Sequence, residues 1–303
     1  MRILVTGVSG YVGAAVAPRL QAAGHDVVGY ARTPSRVLID VPVVQGDAVA
    51  GTGLDEALDG VQVAYYLIHS MEPGQDGFSV RDHRAAENFA AAARRAGVER
   101  IVYLGGPVPP GARMSIHLRS RLEVEQMLLE ATPGSVALRA SVVISARSRP
   151  FRFLVHLVER LRLVPLPPWR DYRTQLIDGR DVLAFLVNAA TAPGVAGESL
   201  DIAGPDVLTW GEVMDRIADH LLVGRVGVRL RITATPVASR VAAAIAREDP
   251  ELIGPLMEGL LSDLLPRDMR APELLGVRLH SFDSAVERAL REWEEAGEPL
   301  RAR

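Results

Sequence analysis

Three glycines at fixed spacing, a pair of arginines and one histidine–arginine couple carry most of the chemistry that this chain could perform. Gly7, Gly10 and Gly13 lie in Val5-Thr6-Gly7-Val8-Ser9-Gly10-Tyr11-Val12-Gly13, directly after an apolar run and directly before a helical one. In that context the first glycine permits a tight turn, the second lets a phosphate chain approach the backbone, and the third lets helix and strand pack closely. The helix that follows adds unpaired N–H groups and the positive end of its dipole. The turn, with Ser9, Tyr11 and Val12 between and beside its glycines, reads as a pyrophosphate site for a dinucleotide. The plainer alternative is an ordinary glycine turn between strand and helix.

The second apolar run ends Gly29-Tyr30-Ala31-Arg32-Thr33-Pro34-Ser35-Arg36. A site for NAD(H) places a carboxylate there to accept the ribose 2′-hydroxyl. Arg32 and Arg36 instead offer donors suited to a 2′-phosphate, and Arg32 could also stack on the adenine. NADP(H) is therefore favoured over NAD(H), against the alternative of two solvated loop arginines.

Proton chemistry is narrowed by what is missing. All 34 basic residues are arginine, so no Schiff base and no lysine ammonium is available, and no cysteine is present for thiolate or disulfide chemistry. No His/Asp/Glu group has metal-ligand spacing, and no metal is expected. His117-x-x-x-Arg121 spans one helical turn. The imidazolium of His117 is a competent proton donor near neutral pH, and Arg121 beside it would depress its pKa. The bland reading makes His117 a polar helix residue. His69-Ser70 sits at the end of a strand, as a catalytic group or a cofactor-lining loop. Asp82, opening a helix, reads as a dipole-compensating charge. Tyr172 and Arg173 follow a proline-rich segment and could cap a substrate or only close a lid. Arg147, Arg149, Arg152, Arg160 and Arg162 form a cationic stretch, more simply a solvated helix face than an anion site.

These residues need a scaffold, and the hydropathy pattern supplies one. Short β-branched runs alternate with helical stretches through the first half: strands at 2–6, 26–30, 41–44, 62–68, 100–104 and 135–144, helices at 11–23, 54–58, 80–96 and 115–130. That is α/β, a Rossmann-like doubly wound parallel sheet ordered 3-2-1-4-5-6. The division is a dinucleotide-binding domain over 1–145 and a smaller, mostly helical substrate lid over 146–303, packed on the sheet edge with the chain crossing between them. In the second half a helix from Arg147 runs into the Val164–Trp169 proline loop. Further helices are expected at 181–190, 209–222 and 236–265, with strands at 198–202 and 225–235. Ser284-Ala285-Val286-Glu287 reads as a capping box opening a final helix to Trp293.

With 303 residues, 48% hydrophobic and 23% charged, the chain can bury a large core, and a net charge of -3 argues against a nucleic-acid surface. A strand beginning at Arg2 leaves no room for a signal peptide, and no apolar run is long enough to cross a bilayer. The expected protein is cytoplasmic, with a small-molecule substrate, no nucleic-acid or membrane partner, and a monomeric or homodimeric state.

The spacing Thr6-Gly7-x-x-Gly10-x-x-Gly13, with Gly46-Asp47 after the third strand, resembles the extended and atypical short-chain dehydrogenase/reductases. Val63–Met71, Asn88-Phe89-Ala90, Arg100–Gly106, His117–Arg121, Thr174–Ile177 and Arg180-Asp181-Val182 are similar to one atypical branch. That branch is the NAD(P)H-binding proteins related to NmrA and to the Rossmann accessory subunit of respiratory complex I. The resemblance covers about the first 220 residues. It implies that Asp47 and Ala48 meet the adenine, and that Leu67, Ile68 and His69 line the ribose and nicotinamide.

The chain departs from that family at its catalytic positions. Members that oxidise or epimerise alcohols use Ser and then Tyr-x-x-x-Lys, where the ammonium lowers the phenol's pKa. Here Gly105-Gly106 stands at the serine position, and His117-x-x-x-Arg121 occupies the helix, where Arg121 could still bond the ribose. The leading expectation is an NADPH-dependent oxidoreductase acting on a carbonyl, quinone or conjugated substrate without that catalytic set. A non-catalytic dinucleotide sensor or assembly factor, and a nucleotide-assisted isomerase or dehydratase, are the alternatives.

Overall fold

The structure, a computed structural model, describes residues 1–68, 77–108, 116–160, 163–166, 168–224, 226–229 and 262–297. The sequence-based expectations at His69-Ser70, and nearly all of those for 230–265, fall outside these residues.

A strand buried on both faces must be apolar along its whole length, and the first half of the chain follows that rule. Strand β1 (Arg2–Thr6) is followed by α1 (Tyr11–Ala22), β2 (Asp26–Ala31), β3 (Val43–Gln45), α2 (Leu54–Ala57) and β4 (Val63–Tyr66). Next come α3 (Gly77–Arg95), β5 (Arg100–Gly105), α4 (Ile116–Ala131) and β6 (Val136–Ala140). Except for Arg2, Asp26 and Arg100 at their starts and Leu104, the residues of β1, β2, β4, β5 and β6 are buried. With a strand from the second half, β11 (Ser199–Ile202), seven strands pair in parallel in the order β11-β6-β5-β4-β1-β2-β3. One face is packed by α1, through Val16, Ala17 and Leu20, and the other by α2, α3 and α4. The strand order reverses between β1 and β4, which leaves a crevice at their C-terminal ends.

The expected order 3-2-1-4-5-6 holds, with one strand added. β11 (Ser199–Ile202) comes from the second half of the chain and pairs with β6. A buried ionic network pins this edge. Arg139 on β6 donates through Nε and Nη2 to the Glu125 carboxylate on α4 at 2.6–3.0 Å, and Ser199 on β11 donates to the same carboxylate. Helix α6 (Gly179–Ala189) covers the same sheet face as α1, with Phe185 and Leu186 buried in its apolar layer.

Three local expectations are corrected. The strand expected over 135–144 is broken: β6 ends at Ala140, where β11 also ends and one residue beyond the last pair with β5. The chain then re-pairs as β7 (Val143–Ile144) with β10 (Ile177–Asp178). The helix expected from Arg147 is α5 (Arg149–Arg160). The proline loop after it contains a strand, β8 (Leu163–Leu166), paired in parallel with β13 (Val226–Arg229). Its partner lies some 60 residues away, so no local pattern could disclose it; Pro165 is tolerable because this pair stands apart from the main sheet. The last helix, α9 (Phe282–Glu295), starts three residues before the expected capping box, with the Ser281 hydroxyl accepting from the Ser284 amide. The capping box formed in this half belongs to α7 (Trp210–His220), between Thr209 and Glu212.

The remaining elements are β9 (Arg173–Thr174), β12 (Leu208–Thr209) and the single-turn α8 (Ala271–Leu274). A second apolar core, built on Phe151, Val155, Trp210, Ile217, Val286 and Trp293, holds α5, α7 and α9 together. No helix among the described residues is long and apolar enough to cross a membrane.

Candidate functional site

The Gly7–Gly13 turn joins β1 to α1, and its geometry explains each glycine. Gly7 has φ +64°, and a Cβ on it would stand 2.7 Å from the Leu67 carbonyl oxygen, at the end of the neighbouring strand β4. A Cβ on Gly13 would collide with the Gly7 carbonyl. At Gly10 an added Cβ would meet only the Gly7 carbonyl oxygen, at 3.2 Å, so the turn is otherwise open at this residue. Gly10 is also the N-cap of α1, where no side chain caps the helix and no acidic residue occupies the first turn. An anion would therefore meet free amides and the positive end of the dipole.

A cavity of about 460 Å³ opens over this turn. Gly7, Ser9, Gly10, Tyr11, Val12 and Gly13 form its floor. Arg32 and Arg36 enter from the end of β2, Asp47 and Ala48 from beyond β3, and Leu67 and Ile68 from the end of β4. The structure thus brings together every proposed cofactor residue except His69, which lies outside the described residues.

The supports are local. Thr6 donates its hydroxyl to the Tyr65 carbonyl at 2.9 Å and accepts from the Leu67 amide at 3.0 Å, clamping β1 to β4 where both meet the cavity. The Asp47 carboxylate accepts from the Val49 amide at 2.9 Å, and the Thr52 hydroxyl accepts from the Asp47 amide at 3.0 Å. Asn88 on α3 donates to the Ala48 and Val49 carbonyls, fixing the cavity wall that follows β3. Tyr30 bonds the Thr52 carbonyl at 2.7 Å, and burial raises its phenol's pKa well above the ordinary range. Tyr11, packed against Gly179, bonds Ser145; burial outweighs that bond and raises its phenol's pKa too. Donors at a helix start, a backbone cradle that side chains would fill, and cationic groups at the far end fit a dinucleotide.

One wall residue carried no sequence signal when read alone. Arg81, on the first turns of α3, lines the same cavity, and its Nε is buried without a hydrogen-bond partner. The signal lay in its spacing: Arg81 is seven residues, two helical turns, before Asn88, so both project from one helix face.

The proton-transfer candidates are placed differently. Residue 117 is the second residue of α4. Arg121, one turn on, donates to the Leu104 carbonyl at 3.0 Å, with its guanidinium 5.5 Å from the centre of the Tyr103 ring. It is not among the described residues lining the nucleotide cavity. Tyr103 donates to the Arg121 carbonyl, is buried, and has its phenol pushed up to about 12, chiefly by that burial. A Cβ at Gly105 would lie 2.8 Å from the Tyr103 ring, so a side chain at this position would collide with it. Asp82, expected as a dipole-compensating charge at a helix start, instead sits on the second turn of α3 and is buried, where it helps burial raise the Tyr66 phenol. Arg173 pairs with Asp263 at 2.6 Å, while Tyr172 is exposed. In the cationic stretch Arg152 lies over the Trp293 ring at 4.4 Å, whereas Arg147 and Arg149 are exposed. Among the described residues no group of His, Asp and Glu could hold a metal ion.

Comparison with known proteins agrees with this geometry. Residues 7–114 match the family model described as NAD(P)H-binding. Over 301 residues, 96% of each protein, the chain is 29% identical to a (4-alkanoyl-5-oxo-2,5-dihydrofuran-3-yl)methyl phosphate reductase from Streptomyces griseus. It is 24% identical over 328 residues to a 2-alkyl-3-oxoalkanoate reductase from Shewanella oneidensis, covering 99% of this chain and 75% of that one. The fold matches the UDP-glucuronic acid 4-epimerase of Bacillus cereus, solved with NAD, at a TM-score of 0.72 and 15% identity, over 99% and 100% of the two chains. The chain is an NAD(P)H-dependent reductase built on a Rossmann-like fold and similar in sequence to these named reductases.

Proposed function

We propose that the protein uses NADPH in preference to NADH to reduce a small, electron-poor substrate in which a carbon–carbon double bond is conjugated to a carbonyl. The observation that carries the cofactor preference is the end of β2, where Arg32 and Arg36 line the cavity and no carboxylate stands to accept a ribose 2′-hydroxyl. The substrate class is supported by the absence of lysine from the whole sequence, which removes the ammonium that makes a tyrosine a ready acid or base. A conjugated acceptor relaxes that need: once hydride has reached its β-carbon, the charge is spread over the carbonyl and protonation can follow. The Streptomyces relative, named as reductase of an alkanoyl-oxo-dihydrofuran, has a substrate of this electronic kind.

A bound nicotinamide supplies the hydride, and the chain's residues supply position and protons. The Gly7–Gly13 turn and the α1 amides hold the pyrophosphate, Asp47 and Ala48 face the adenine, and Leu67 and Ile68 flank the nicotinamide half. His117, at the start of α4, is the proposed proton donor.

The test is twofold. Arg36→Ala is expected to weaken NADPH by about 1.5–3 kcal/mol, the worth of a charge-assisted contact, and to leave NADH nearly unchanged. Equal losses for both cofactors, by fluorescence titration, would remove the 2′-phosphate assignment. Consumption of NADPH at 340 nm should be faster with conjugated enones than with saturated ketones of the same size. An isomerase would recycle the cofactor, and a sensor would not turn it over.

A further inference from the structure

The cavity over the glycine turn is lined by three guanidiniums, those of Arg32, Arg36 and Arg81, against one carboxylate, Asp47, among the described residues. Arg32 and Arg36 belong to the end of β2 and the turn after it, the ribose side. Arg81 belongs to a different element. It projects from α3, on the sheet face opposite α1, and reaches the cavity from the side facing the Gly7–Gly13 turn. Two features set it apart from a solvated surface arginine. It is only partly exposed, with its Nε enclosed and unbonded. No hydrogen bond or ion pair joins it to another described residue, although Asp82 is its neighbour in sequence.

A guanidinium nitrogen enclosed without a partner is costly, and a bound ligand is one group that can complete it. The position of α3 is itself fixed. Asn88, two turns further along the same face, is bonded to the Ala48 and Val49 carbonyls at 2.9 and 3.0 Å. Two turns of helix rise about 10 Å, so Arg81 lines the cavity that far along α3 from the Asn88 contacts. The α1 amides approach that region from the other side.

We propose that Arg81 is a ligand of the dinucleotide pyrophosphate, closing on the phosphates from α3 while the α1 amides hold them from below. This deepens the NADPH reading and rests on it. The pyrophosphate would lie between a helix N-terminus that neutralises it by dipole and a guanidinium that neutralises it by charge. Because NADPH and NADH share the pyrophosphate and differ only in the 2′-phosphate, Arg81 contributes equally to both.

The experiment titrates the full chain and its Arg81→Gln and Arg81→Lys variants with NADPH and with NADH, after circular dichroism has shown each variant folded. Arg81→Gln is expected to raise both dissociation constants by the same factor, about ten- to a hundredfold for a lost charge-assisted contact. Arg81→Lys, which keeps the charge, should recover part of that loss. A loss confined to NADPH would make Arg81 a 2′-phosphate residue and overturn the proposal, and unchanged affinities for both would overturn it outright. Should the unaltered chain bind neither dinucleotide, the cofactor reading itself falls. Binding of both with no effect at Arg81 leaves that reading intact and removes only this inference.

Discussion

At the scale of single residues, those whose role is a backbone conformation were the easiest to recognise. Gly7, Gly10 and Gly13 act through φ, an open face and close packing, and each requirement is local enough to be written in nine consecutive letters. Arg81 could not be recognised that way, because its meaning depends on where α3 lies relative to a turn some seventy residues earlier. Proton delivery belongs to this scale as well. With Tyr103 buried and its phenol raised to about 12, and no lysine in the chain, the proposed donor is His117. Only its imidazolium can donate, so the reductive rate should fall as pH rises through its pKa. His117→Ala should lose about 10²–10⁴-fold in rate, the usual contribution of a general acid, with little change in NADPH affinity. A parent-like rate in that variant would assign the proton to water or to another group.

At the scale of elements, α5 and α9 show how packing sets a titration. His156 on α5 lies edge-on to Trp293 on α9, with ring centroids 5.2 Å apart, and its Nδ1 is 3.1 Å from the Glu159 carboxylate. Burial dominates and lowers its pKa below the ordinary 6.5, although the Glu159 bond opposes it. The unfolded chain therefore binds this proton more readily than the folded one. The contribution to stability is present above the unfolded value and is lost as pH falls through 6.5 toward the folded value. Urea-denaturation midpoints measured from about pH 7 to pH 5 should decline with acid, and His156→Phe should make that decline shallower. An unchanged slope would show that His156 is not the group responsible. The β8–β13 pair belongs to this scale too: its partners are distant in sequence, so its prolines looked like a loop.

For the whole molecule, the decisive feature is that the second half of the chain completes the first. β11 forms the edge of the main sheet, the Arg139–Glu125–Ser199 network ties that edge to α4, and α6 buries Phe185 and Leu186 against the sheet. A chain ending at residue 145 would lose β11, α6 and the Ser199 arm of the network, keeping only the Arg139–Glu125 pair. Losing one buried aromatic alone costs about 3–5 kcal/mol, a large part of the roughly 5–15 kcal/mol that holds a protein folded. The fragment 1–145 is therefore expected to show no cooperative thermal transition and no NADPH binding. A sharp transition with retained binding would make the first half an independent domain.

The sequence alone determined the class of fold, the order of six sheet strands, the glycine turn and the residues gathered around its cavity. Each of these follows from short-range rules: uninterrupted apolar runs for strands buried on both faces, helical periodicity between them, and glycines where backbone must bend or be approached. Tertiary structure decided what depends on distant partners. It recruited β11 as the seventh strand and ended β6 at Ala140, where β11 ends too. It packed the Tyr103 ring against Gly105, and it brought Arg81 from α3 to the cavity.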